Sequence, residues 1–236
     1  MRIVTYNIRG GLGMDNVRSI VNIGETLRPL SADIICLQEV HQRLPWSGRQ
    51  DQPALLEQLL ARKFTFQRNL RMGFGGYGVG IAARGTIVEK HEHLLPSVKE
   101  QRGALELRLR DVGGFRSLTV FCTHWGLDGA ERLQQAEALA EHIKVAPHPI
   151  VVCGDLNEDA ESAAVLRLKE LTGLIDIDSA HNRTTFVSDN PTVRIDFVLI
   201  SPDIQVDHVE VPSTLASDHL PVVADLSLVA SAIRLI

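Results

Sequence analysis

Apolar residues along the chain come in short runs rather than long stretches. Runs rich in β-formers occupy 2–8, 33–38, 64–68, 78–84, 103–109, 115–123, 149–153, 194–200, 204–211 and 219–228, each bounded by Gly, Pro, Asp or Ser, and they predict strands. Apolar positions spaced three and four apart predict helices at about 15–29, 52–62, 130–144 and 160–171. In the third of these, Leu133, Ala136, Ala140 and Ile143 define one apolar face, and Asp15 and Asp51 stand where the first two helices would take an N-cap. The strands outnumber those of a simple doubly wound sheet. With helices interspersed irregularly, they predict an α/β (α+β) sandwich, with two sheets packed inside and helices covering them. No linker-like segment, low-complexity tract or repeat interrupts 1–236, so a single domain is expected. The glycine-rich stretch from Gly73 to Gly80 lacks the lysine and helix of a phosphate-binding P-loop and reads as a mobile hairpin.

Composition narrows this little. Of 236 residues, 44% are hydrophobic and 22% charged, ordinary for a globular chain. The formal net charge of −5 offers no global field to recruit a polyanion, which weakens nucleic acid as a substrate without removing it. Arg43, Arg49, Arg68 and Arg71 could form a local patch for a phosphate backbone or could be scattered surface residues. Cys36, Cys122 and Cys153 each lie in an apolar run, as buried free thiols do, and fit a reducing compartment. Met1 to Tyr6 enter a strand directly, which leaves no room for a secretion signal, and no apolar run is long enough to span a bilayer. A cytoplasmic monomer is expected.

The chemistry lies where the apolar runs stop. Asn7 ends the first strand, Glu39 follows the second, His124 a later one, and Asp155 and Asn157 another, while Asp218 and His219 precede the last. Each has an ordinary explanation taken alone. Asn7 could cap a turn, Glu39 could be an exposed strand-end carboxylate and His124 a satisfied core histidine, and Asp155-x-Asn157 could be an Asx turn. Asp218-His219-x-Pro221 could open a strand on local hydrogen bonds. Together they place carboxylate, amide and imidazole groups at strand ends that can converge on one edge of a sandwich. Hard oxygen donors gathered there suit magnesium or manganese. No G-x-S-x-G elbow or other nucleophile motif is present, so direct attack by water is expected rather than a covalent intermediate.

In order, T-Y-N-I-R-G-G (5–11), L-Q-E-V (37–40), Q-R-G-A-L (101–105), T-H-W-G (123–126), G-D-L-N (154–157), R-I-D-F-V-L (194–199) and S-D-H-L-P-V (217–222) resemble the endonuclease/exonuclease/phosphatase superfamily, with its deoxyribonuclease I-like fold. The resemblance spans residues 5 to 222. It implies a four-layer sandwich of helix, sheet, sheet and helix, a site at one end of the paired sheets, and a Mg2+- or Mn2+-dependent phosphoester hydrolase. It also implies roles: Glu39, Asn7 and Asp218 as metal-binding residues, and Asp155 with Asn157 as the pair that orients water and a phosphate oxygen. His219, held by Asp196, would contact the phosphate or take a proton. His124 and, with a looser match, Arg102 would contact the substrate. Whether Asp155 or His219 is the base stays open, because coupled groups share their titration.

Superfamily members act on many phosphoesters, so specificity must lie in loops. The candidates are 41–53 with Trp46, 69–78 with Phe74 and Tyr77, and 180–193. Trp46 and Tyr77 could stack on a base or close a hydrophobic rim. Thr123-His124-Trp125-Gly126 departs from the asparagine-tyrosine-proline type motif of apurinic-site endonucleases and is similar to the threonine-histidine step of sphingomyelinase-like and small bacterial hydrolases. A compact phosphodiesterase acting on a phospholipid-derived or nucleotide substrate is the central expectation. A nuclease on DNA or RNA is the alternative enzyme, and a phosphate-ligand binding module on the same fold the non-enzyme alternative.

Overall fold

The computed structural model describes residues 1–229. The first sheet is formed by β1 (Arg2–Asn7), β2 (Ile34–Gln42), β3 (Phe64–Met72), β4 (Gly75–Ala83), β11 (Ile204–Glu210) and β12 (Val222–Leu228), in the order β11-β12-β1-β2-β4-β3. The second is formed by β5 (Thr86–Leu94), β6 (Gly103–Val112), β7 (Phe115–His124), β8 (Ile150–Asp155), β9 (Ile175–Asp176) and β10 (Asp196–Ile200), in the order β5-β6-β7-β8-β10-β9. Only β1 with β2 and β7 with β8 run parallel. Helices α1 (Ile20–Leu27) and α2 (Gln52–Leu60) cover the first sheet, and α3 (Gly129–Val145) and α4 (Ala163–Thr172) the second. This is the expected four-layer sandwich.

Burial on both faces explains why the central strands read as continuous apolar runs. Ile34 and Cys36 of β2 point between the sheets, where they pack with Val120, Cys122, Val151 and Cys153, while Ile35 and Leu37 face α1 and α2. Phe121 and Val152 face the other way and meet Leu139 and Val165 beneath α3 and α4. All three cysteines are buried and free, as expected.

Several local expectations are corrected. The first helix begins at Ile20 rather than near 15. The Asp15 carboxylate accepts from the Val17 N–H in a turn of its own, and Ser19 provides the cap by accepting from the Asn22 N–H at 3.2 Å. Asp51 does precede α2, but its carboxylate is taken by Arg43 and Gln42 and caps nothing. In α3, Leu133 is exposed, and Leu139 and Gln135 share the buried face with Ala136, Ala140 and Ile143. The fourth helix starts at Ala163 behind a Ser162 cap. The glycine-rich stretch does form a hairpin, turning at Gly73 and Phe74 between β3 and β4, and from Gly75 to Gly80 it is strand β4, paired on both sides by β2 and β3. A Cβ at Gly78 would collide with the Gln67 carbonyl oxygen and one at Gly80 with the Phe64 ring, so the glycines let neighbours close in. β5 was not predicted, because its exposed sequence Thr86 to Leu94 alternates no apolar stripe; it is a charged edge strand.

Candidate active site

Strand register assembles the site. Asp155, the last residue of β8, pairs with His124 at the end of β7 on one side and with Asp196 at the start of β10 on the other. His124 in turn pairs with Gly103, the residue after Arg102. Apolar residues behind these positions fix the register, because a slip of one residue would turn Val152 and Cys153 to the wrong faces. A row of polar groups therefore lies across one end of the second sheet. The first sheet supplies Asn7 and Glu39 from the ends of its parallel pair, β1 and β2.

Glu39 reaches the site through an irregularity. Between Leu37 and Val40, β2 carries one residue more than β4, a bulge in which Glu39 takes φ +55°. Asn157, with φ +50°, and Arg9, with φ +47°, are also left-handed, so three non-glycine residues hold uncommon backbone conformations around one opening. The Asn7 amide bridges the two sheets by donating to Glu39 Oε1 at 3.1 Å and to Asp155 Oδ2 at 2.8 Å. The Ser217 hydroxyl donates to the Asn7 carbonyl at 2.8 Å and lies 3.3 Å from Asp218 Oδ1, which ties the segment before β12 to the end of β1. Asp218 also pairs with Arg9 at 3.2 Å.

His219 and Asp196 form the expected pair, with Nδ1 2.9 Å from Oδ2. The Thr185 hydroxyl donates to the same oxygen at 2.6 Å, and the Phe186 ring lies 4.9 Å from the imidazole, so the carboxylate and ring are both held. His219 Nε2 faces Asp155 Oδ2 at 3.7 Å. Burial disfavours the imidazolium, but Asp196 and then Asp155 outweigh it and push the pKa up to about 10. Burial likewise pushes the Asp155 carboxyl up, against the attraction of His219 and with the repulsion of Asp196.

His124 is the opposite case. Burial, reinforced by Arg102 and His219, holds its pKa well below the ordinary histidine value, so it is neutral. Donors flank both of its ring nitrogens: the Arg102 guanidinium lies 3.0 Å from Nδ1 and 3.3 Å from Nε2, and the Asn157 amide nitrogen lies 3.1 Å from Nε2, which also faces Asp155 Oδ2 at 3.4 Å. Asn157 donates its amide to the Trp125 carbonyl at 2.9 Å and gives its backbone N–H to Asp155 Oδ1 at 3.0 Å. Arg102 is buried and paired with Glu100 at 2.9 Å, yet its Nε has no partner, which leaves a spare donor.

All the residues named from the sequence thus share one cluster: Asn7, Glu39, Arg102, His124, Asp155, Asn157, Asp196, Asp218 and His219. One loop reading changes. Tyr77 belongs to β4, and its hydroxyl lies 3.2 Å from His124 Nδ1 and accepts from Arg102 at 3.2 Å, so its polar end is inside the site instead of on a rim. Thr185, Ser217 and Arg9 were missed. Each acts through a contact across at least ten residues of sequence or lies beside a stronger motif, and no local pattern marks it.

The donor set fits a hard divalent cation. Burial pushes Glu39 up, Asn7 and the charge of His219 oppose that, and the neighbouring Asp218 adds to it, so no cationic side chain pairs directly with Glu39 among the described residues. Asp155, Asp196 and His219 also offer ligand-type atoms within 4.8 Å of one another. A charged His219 already balances that trio, which leaves the side with Glu39, Asn7 and Asp218 as the better place for a cation.

A cluster of acids and histidines at one end of two packed mixed sheets defines a class of phosphoester hydrolases. The model described as Endonuclease/Exonuclease/phosphatase family matches residues 4–219. The chain belongs to this family, whose members hydrolyse phosphoester bonds. The protein YbhP of Escherichia coli K12 is 33% identical over 211 residues, 83% of this chain and 82% of YbhP. Among solved structures, an endonuclease/exonuclease/phosphatase from Beutenbergia cavernae superposes with a TM-score of 0.79 at 26% identity, covering 97% of this chain and 71% of the other. A family protein from Bacteroides thetaiotaomicron gives 0.82 at 19% identity, covering 98% and 96%, a likeness of fold.

Proposed function

We propose that this protein is a Mg2+- or Mn2+-dependent phosphodiesterase that hydrolyses its substrate by in-line attack of water. The observation that carries the reading is the unequal pair of histidines beside one buried carboxylate: His219 lies 2.9 Å from Asp196 and is held charged by it, His124 is kept neutral by burial and by Arg102 beside it, and both face Asp155. Glu39, Asn7 and Asp218 would hold the cation, which when bound supplies neutralisation of charge on the phosphate. Asp155 accepts the proton of the attacking water, since His219 already carries one. His219 Nε2–H and the spare Arg102 donor stabilise the phosphate oxygens as charge builds, and Asn157 fixes the direction of attack. Neutral His124, held among Tyr77, Arg102 and Asn157, lines the phosphate position beside Asp155 without adding charge.

The donor types present are hard oxygens, which is why magnesium or manganese is preferred to a softer metal. Three buried free thiols suit a reducing, cytoplasmic setting, and no helix among the described residues is long and apolar enough to cross a membrane. We take the working unit to be a monomer.

The test is the initial rate on a soluble chromogenic phosphodiester with magnesium, manganese, calcium or EDTA, with Glu39→Ala alongside. Turnover that needs magnesium or manganese and is lost in Glu39→Ala is expected. Equal metal dependence in both proteins would remove Glu39 from the metal site, and metal-independent turnover would end the reading.

A further inference from the structure

The mouth of the site has an uneven rim. Its β3–β4 turn, the segment 43–51 after β2 and the segment 95–102 before β6 all lie at the strand ends that carry Glu39, Arg102 and His124, as the pairing of Gln42 with Gly76 and of His124 with Gly103 requires. The two sheets meet at this corner, where Gln67 of β3 donates to the His93 carbonyl of β5 at 2.9 Å. The corner exposes Phe74 (95%), Val98 (86%), Leu94 (61%), Trp46 (54%) and Met72 (43%). Other apolar side chains are exposed elsewhere on the molecule, but these five gather on loops and strand ends of one corner, and Phe74, between Gly73 and Gly75, is the most exposed of them all. Scattered apolar residues need no explanation, but a group at the lip of a catalytic opening does.

The charges of the same corner are basic. Arg49, Arg71 and Lys99 are exposed and Arg43 pairs with Asp51, whereas the chain as a whole carries −5. The acids of the corner itself are paired, Glu100 with Arg102 at 2.9 Å and Asp51 with Arg43 at 3.0 Å, and Asp128 and Glu131 stand across the pocket beside Val98, while Arg49, Arg71 and Lys99 make no ion pair among the described residues. Exposed apolar side chains on loops and strand ends, with unpaired long cationic side chains among them, suit an occupant that is apolar inside and carries a plane of phosphates at its surface.

We propose that this corner docks on a lipid bilayer containing anionic phospholipid, with Phe74, Val98 and Trp46 entering the headgroup boundary and Arg49, Arg71 and Lys99 on the phosphates, so that the phosphoester cleaved is drawn from the membrane. The proposal rests on the phosphodiesterase reading for its chemistry. It places the substrate class with phospholipids and lipid-linked phosphates.

The experiment is flotation of the full chain with vesicles of phosphatidylcholine alone or mixed with phosphatidylglycerol, with soluble-diester turnover measured on the same samples. The wild type should float with the mixed vesicles. Phe74→Ser with Val98→Ser should weaken that binding about tenfold or more, and Arg49→Glu with Arg71→Glu should erase the preference for the anionic lipid; soluble-diester turnover should stay within about twofold, since these exposed side chains touch no reacting group. A wild type that hydrolyses the soluble diester but does not float overturns docking and leaves the phosphodiesterase standing. A wild type without metal-dependent diester turnover removes the hydrolase reading and the membrane substrate with it. Vesicle binding untouched by either double variant, single-stranded DNA retention lost in them without any flotation, or a wild-type dimer that the Phe74 variant lacks would each overturn the assignment.

Discussion

At the scale of single residues, the site separates its two histidines by charge. His219 has a carboxylate behind it that keeps it charged, whereas burial, with a guanidinium beside the ring, keeps His124 neutral. The sign of the pH dependence follows. Burial raises the Asp155 pKa, so if its carboxylate takes the proton of water, turnover falls as pH drops through the neutral range. The raised pKa of His219, at about 10, keeps the imidazolium through neutral pH and loses it only in strongly alkaline solution. His219→Ala is expected to lower kcat by roughly 10²–10⁴-fold. Asp196→Asn should cost less, but it should also move the alkaline limb of the pH–rate profile down toward the ordinary histidine value near 6.5. A pH profile identical to wild type in Asp196→Asn would mean that Asp196 does not control His219.

At the scale of elements, β4 shows how a strand can be specified by what it lacks. Its glycines let β2 and β3 close on it from both sides, which is what carries Tyr77 to His124. Gly78→Ala places a methyl group against the Gln67 carbonyl, where backbone must move. A loss of about 1–3 kcal/mol is expected, read as a Tm lower by about 2–4 °C for each kcal/mol in a chain of this size. Gly48→Ala, in open space though at positive φ, is the matched control and should lose less. Equal losses would show that backbone conformation, rather than close packing, governs β4. The bulge in β2 is the second such device: a regular ladder would carry the sequence Gln38-Glu39 through in alternation, and the extra residue re-aims Glu39 toward Asn7.

At the scale of the whole molecule, the site is a seam between sheets. Asn7 bonds to Glu39 of its own sheet and to Asp155 of the other, so mutually repelling carboxylates sit where the two halves meet. A cation bound there stabilises the folded state by mass action. At a hundredfold excess over its Kd, magnesium or manganese should add about 2.7 kcal/mol, a rise of roughly 5–11 °C in Tm, and Glu39→Ala should abolish the rise. Calorimetry with and without EDTA checks it, and an unchanged Tm at saturating metal in the wild type would show that no cation binds at the seam.

Much of this was legible in the chain. The central strands announce themselves as apolar runs because both of their faces are buried, and Asn7, Glu39, His124, Asp155 and His219 announce themselves by ending or preceding those runs. The exposed edge strand β5 was not legible, since nothing apolar repeats in Thr86 to Leu94. Nor were Thr185, Ser217 and the hydroxyl of Tyr77, whose meaning depends on partners far away in sequence. The sequence by itself determined which polar residues stand at the strand ends and which sandwich holds them, because burial dictates pattern along each strand. Only the tertiary structure decided the charge of each histidine, the aim of Glu39 and the apolar, basic corner of the mouth, because those depend on which groups are brought together across the two sheets and on how much water is left between them.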